Sequence, residues 1–199
     1  NPRNPHNPMP AIRALLVALD EWVVSGKAPP PSRVPTLAAG TLVDAAKTGF
    51  PTVPGAAVVR VTNSVSPPGD WAAPKPADKT YRTLVSSVDT DGNEAAGVRL
   101  PDIAVPLATY TGWNEYKPPY PKGEIADRDG SCLPFPVDKA SRESSGDPRP
   151  SVAERYKSGA DYIAKVQAVV DQLLADRLIL SEDAALYLER ARREPCVAP

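Results

Sequence analysis

Histidine and cysteine are scarce in this chain. Among its 199 residues there is one histidine, His6, and there are two cysteines, Cys132 and Cys196. Zinc sites draw their ligands chiefly from these side chains, and no CxxC spacing is present, so no metal centre and no cofactor is expected. Two cysteines are also too few for a disulfide framework. They read either as unrelated thiols or as a single bridge, within the chain or to another chain, that would fit an oxidising compartment.

Other absences exclude whole classes of function. No apolar run approaches the roughly 20 residues that a membrane-spanning helix needs. The 23 basic and 24 acidic residues nearly cancel, and no stretch gathers basic residues densely enough to follow a phosphate backbone. Arg190, Arg192 and Arg193 alternate with Glu189 and Glu194 and read as a solvated helix end, so nucleic acid is not an expected partner. No serine stands in a GxSxG context, and with His6 in a proline-rich lead-in, a complete catalytic triad is not expected within the chain. Phosphate loops, HExxH and EF-hand patterns are missing too. "DTDGN" reads as a hairpin turn, and "IADRDGS", with Asp127 and Asp129, as a solvated loop.

Proline, by contrast, is abundant, at 25 of 199 residues against an average of about 5%. It fixes φ and removes a donor, so long, specifically shaped loops must occupy much of the chain. Hydrophobic residues make up 42%, enough for a real core.

Three regions follow from the pattern. In residues 1–31, Ile12, Leu15, Leu16, Leu19, Trp22 and Val23 recur at helical spacing, with Val17, Ala18 and Val24 widening the apolar face. Pro10 suits a first turn and Gly26 a C-cap, which predicts a helix over about 10–25, buried on more than one side. Residues 32–136 read as proline-rich loops with a strand at 56–63, a hairpin around 91–93, an extended segment at 103–111 and a long loop at 112–136. Residues 137–199 read as helical: Ser151 and Glu154 form a capping box, Ser158 opens an amphipathic helix through Leu174, and Ser181 caps a last one ending near Arg193.

The stretch "TYTGWNEYKPPY" (109–120) is the candidate binding surface. It gathers Tyr110, Trp113, Tyr116 and Tyr120 with Thr111 and Asn114 where glycine and proline prevent regular structure. Tyr110, Thr111, Trp113 and Asn114 are the candidate substrate contacts, although the same aromatics would also serve as plugs closing a small core.

Several segments resemble a bacterial group of large α/β-hydrolase-domain proteins. They are "NPMPAIRALLVALDEWVVSGKAPPPSRVPTLAAGTLV", "VDTDGNEAAGVRLPDIAVPLATYTGWN", "GEIADRDGSCLPFP" and "SGDPRPSVAERYKSGADYIAKVQAVVDQLL", in order over about residues 8–180. The resemblance places the first helix where such proteins have their closing core helix, after the catalytic histidine. It implies an α+β, irregular and Pro-rich C-terminal portion of an α/β hydrolase, with an upstream part holding the whole triad as the companion of this chain. The implied substrate is a small carboxylic ester, and no residue of this chain would be catalytic. Members of such groups are often exported, which puts the expectation in the periplasm or outside the cell. Cys132 departs from the aromatic residue expected at its place, which favours a disulfide specific to this protein, with Cys196 as the candidate partner within the chain. Two other readings stay open: a non-catalytic binding or assembly subunit using residues 109–120, and catalysis through His6 with a nearby nucleophile.

Overall fold

A computed structural model describes residues 1–58, 65–67, 72–73, 80–121, 123–126, 128–194 and 197. Its elements in chain order are α1 (Met9–Ser25), β1 (Leu42–Asp44), β2 (Leu84–Ser86), α2 (Pro101–Ala104), β3 (Ala108–Tyr110), β4 (Asn114–Glu115), β5 (Ile125–Ala126), β6 (Cys132–Pro134), α3 (Lys139–Ser145), α4 (Val152–Arg155), α5 (Gly159–Ala175) and α6 (Ser181–Arg192). Helix and strand are mixed in the α+β manner. Among the described residues the strands form three antiparallel pairs, β1 with β2, β3 with β6 and β4 with β5.

The core lies at the helical end. Tyr162, Val166, Val170 and Leu173 fall on one face of α5 and are buried. They meet Ala184, Tyr187 and Ala191 of α6, with Leu100, Val105, Phe135, Val152 and Tyr156 closing the cluster. The capping box at Ser151 and Glu154 forms as expected, as does the Ser158 cap of α5. At α6 the cap differs: Leu180 occupies the N-cap position without a side-chain bond, and the Ser181 hydroxyl donates to Glu182 instead.

Helix α1 matches the expected span and ends on Gly26 at φ 72°. Its burial does not match. Pro10, Ala11, Ala14 and Ala18 form the covered stripe, while Leu16, Trp22 and Val23 are 59%, 52% and 78% exposed. The small residues let α1 approach the body closely, and the large ones find no surface among the described residues. Arg13 pairs with Asp183 at the start of α6, and Glu21 with Arg177, fastening the covered side.

The middle region is more irregular than expected. Residues 56–58 form no strand, and the remainder of the predicted strand at 56–63 lies outside the described residues. Residues 91–93 do make a tight turn, with Asp89 N–H donating to Asn93 O (2.7 Å) and an isolated bridge from Val88 to Glu94, but its first limb pairs onward with β1. The segment 103–111, expected to be extended, is so only at Ala108–Tyr110, while Ile103 and Ala104 end α2, whose first turn Pro101 presets. Within the expected loop 112–136, β4, β5 and β6 form short pairs.

Candidate functional site

The N-terminal arm builds one wall of the site. Its repeated Asn-Pro steps have a local logic, because an asparagine side chain can accept a backbone N–H two residues on, across a proline that has none to offer. Asn4 accepts from His6 N–H (2.8 Å), and Asn7 from Met9 N–H (3.0 Å). The arm then runs antiparallel to residues 130–132: Asn4 N–H donates to Gly130 O (2.8 Å), and Cys132 N–H donates to Pro2 O (2.9 Å). It thus extends the β3–β6 pair at an edge, where proline is tolerated. Gly130 permits the approach, since a Cβ there would lie 2.0 Å from Thr111 O and 3.0 Å from Asn4 Cβ.

Strand β3 supplies the floor. The turn at 91–93 docks on it through Asn93, fully buried, whose amide donates to Ala108 O (3.0 Å) and accepts from Tyr110 N–H (2.9 Å). Gly92, at φ 81°, fits against Thr109 and Phe50 where a Cβ would not. Between arm, turn and strand lies a cavity of about 540 Å³. Phe50, Val85, Val88, Val98, Ile103 and Trp113 give it an apolar wall, and His6, Asn4, Tyr110 and Thr111 lie at its arm side.

Three of the four candidate substrate contacts, Tyr110, Thr111 and Trp113, meet in this cavity. The Thr111 hydroxyl is already engaged with Ser131 and Trp113 O. Trp113 donates its indole N–H to Ala57 O (3.0 Å) and packs at 54° against Phe50, centroids 5.5 Å apart. Burial, then the charge of Asp102, pushes the Tyr110 phenol well above its ordinary pKa, so it keeps its proton. Asn114 sits apart, buried, its amide donating to Asn1 O (3.0 Å). Tyr116 and Tyr120 also lie elsewhere, stacked on each other at 4.5 Å and exposed.

Sequence reasoning missed the partner of His6. Its Nδ1 is buried without a hydrogen bond, 3.6 Å from Asp102 Oδ2. Asp102 also receives Arg190 Nη2 (2.5 Å). Ninety-six positions of sequence separate His6 from Asp102, so no local pattern signals the pair. Among the described residues no hydroxyl or thiol hydrogen-bonds to the His6 ring, which leaves it without an engaged nucleophile. Cys132 carries a free thiol whose pKa burial pushes up, and Cys196 lies outside the described residues, as does Asp127. Asp129 pairs with Arg3.

Residues 1–189 match the family model described as an alpha/beta hydrolase domain, and the chain belongs to that family. Comparisons with curated proteins and with solved structures gave no match.

Proposed function

We propose that the chain is the C-terminal part of a serine hydrolase acting on carboxylic esters. In this reading the upstream part of the same hydrolase, as a companion chain, carries the serine, acid and histidine, and forms an acyl-enzyme. The observation that carries the reading is the exposed face of α1. The α/β architecture lays such helices on a mostly parallel sheet, and the described strands are short antiparallel pairs. Ile12, Leu15, Leu16, Leu19, Trp22 and Val23 are all more than 40% exposed. Covering them would contribute about 1 kcal/mol each from this half-exposed state, before the costs of association.

The cavity then forms a wall of the substrate pocket. Trp113→Ala is expected to raise KM or alter ester preference more than it lowers stability, because Trp113 lines the cavity and is only partly buried. Unchanged kinetics with a large loss of stability would make it a plug. The decisive experiment is native followed by denaturing mass spectrometry on the purified material, with fluorophosphonate labelling. A larger labelled companion leaving with this chain supports the reading, and a folded chain flying alone and unlabelled overturns it.

One observation favours a second reading, a non-catalytic binding or assembly subunit. Tyr116 and Tyr120 present a stacked aromatic pair to solvent, 43% and 54% exposed. That reading expects no fluorophosphonate-labelled companion.

A further inference from the structure

We infer that the cavity between the arm and β3 is a binding site for an aryl or branched-alkyl alcohol, its hydroxyl donating to His6 Nε2. Only the identification of that alcohol with the leaving group of an ester rests on the hydrolase reading; the site itself stands on its geometry.

A volume of about 540 Å³ lies within the range of small-molecule sites, about 300–1,000 Å³. Its wall is mostly apolar, so the ligand's body must be apolar as well. Several polar side chains at its edge are committed to the protein. Asn4 uses its carbonyl for His6 N–H and its amide for Thr111 O. Thr111 and Trp113 are occupied as described above, and Arg99 binds Asp89 (2.6 Å) and Ile103 O (3.0 Å) through Nη2, which leaves its buried Nε as a donor without a partner among the described residues.

Among the described residues the His6 ring makes no hydrogen bond, and it lines the cavity. A carboxylate 3.6 Å from Nδ1 favours the proton on that nitrogen. Nε2 then carries a lone pair, on the edge of the ring away from Asp102 and from the covered Nδ1. An uncharged acceptor beside an apolar wall suits a neutral O–H donor, whose oxygen can in turn accept from a donor such as Arg99 Nε. A carboxylate ligand would enter beside Asp102 and the exposed Glu94, which lines the same cavity, and an ammonium would lose its hydration against valines and aromatics. The alcohol side of an ester therefore fits better than its acid.

The test uses the full chain labelled with 15N-histidine, in which His6 gives the only imidazole signals. At alkaline pH the ring is expected to show the Nδ1–H tautomer, and 2-naphthol is expected to shift Nε2 saturably, with 2-naphthoate at least tenfold weaker. His6→Phe keeps a ring and removes the acceptor. It should weaken 2-naphthol about fivefold, the scale of one hydrogen bond, and leave naphthalene within twofold. An Nε2–H tautomer in the wild-type chain, no saturable 2-naphthol shift, or equal losses for 2-naphthol and naphthalene would overturn the site, and the first two need no variant to fold. A labelled companion combined with no 2-naphthol binding sinks the site alone. His6-dependent binding with no labelled companion upholds the site and removes the ester reading.

Discussion

Replacing Arg149 by methionine should be among the most damaging substitutions in the chain, and the structure gives its scale. Arg149 is 2% exposed, and all five of its N–H groups are used. Nε and Nη2 grip the Asp147 carboxylate at 2.9 and 2.6 Å, Nη1 donates to Thr109 Oγ1 and Leu133 O at 2.8 Å each, and Nη2 also reaches Pro134 O at 3.2 Å. These contacts tie the chain after α3 to both strands of the β3–β6 pair, and so to the cavity floor. Methionine matches much of the volume and none of the donors. It strands a carboxylate that is 6% exposed, and removing one partner of a buried pair costs about 3–5 kcal/mol.

The assay is urea unfolding of the full chain followed by circular dichroism. With a slope of about 2 kcal/mol/M, the midpoint should fall by about 1.5–2.5 M. Replacing both partners, Arg149→Met with Asp147→Leu, should recover part of the loss, because no charge is then left alone, although Thr109, Leu133 and Pro134 still lack a donor. Burial acts to raise the Asp147 pKa, but the bonds from Arg149 outweigh it and hold the group below the ordinary carboxylate range. A depressed folded-state pKa contributes stability present above the unfolded value of about 3.9 and lost as pH falls below it. The single variant should therefore lose this acid dependence along with its stability. A midpoint shift under about 0.5 M, or a double variant worse than the single one, would refute the reasoning.

Other substitutions probe separate parts of the structure. Gly130→Ala should detach the arm at a cost of about 1–3 kcal/mol, read as faster amide exchange at Asn4 and Cys132; unchanged protection there would show that the strands can part without loss. Glu154, held at about 2 by Ser151 N–H and then by Arg142, should keep α4 capped until pH falls below about 4.3, with the contribution fading toward pH 2. A carboxyl signal from Glu154 titrating at the ordinary value would contradict this. Ala14→Leu should destabilise the isolated chain by forcing α1 off its seat, whereas Leu16→Asp should leave its urea midpoint unchanged and, under the proposed reading, weaken capture of the companion. The reverse order would mean that α1 is seated the other way round.

What the sequence revealed depended on how local the cause was. The seat of α5 and the capping box at Ser151 rest on residues three and four apart, and both were readable. Helix α3 escaped because "KASRESS" has no buried residue and therefore no apolar period. Only Asp138 before it, accepting from Ser141 N–H (2.8 Å), and Gly146 after it at φ 68° mark its ends. The strands are two or three residues long, shorter than any alternation can establish. The aromatic and polar residues of 110–113 were legible as a candidate surface from composition, but the rest of the cavity comes from Phe50, from residues 85–103 and from an arm more than a hundred positions away. Non-local pairing of that kind leaves no spacing to read.

Helix α1 shows why the pattern of a sequence and its burial can part. Its apolar positions are so numerous that periodicity alone fixes the helix without fixing its orientation. Residue size decides it: Ala11, Ala14 and Ala18 admit close backbone approach, and the ion pairs of Arg13 and Glu21 secure that side at both ends. The bulky face is thereby directed away from the body, and a partner can cover it without breaking any contact that the chain makes for itself. A helix serving only its own core would have little reason to carry both faces, because exposed leucine and tryptophan add nothing to its seat. The division between a small inner stripe and a large outer one suits the companion proposed above, with α1 seated on its own chain through alanines and Leu16 and Val23 left for the other body.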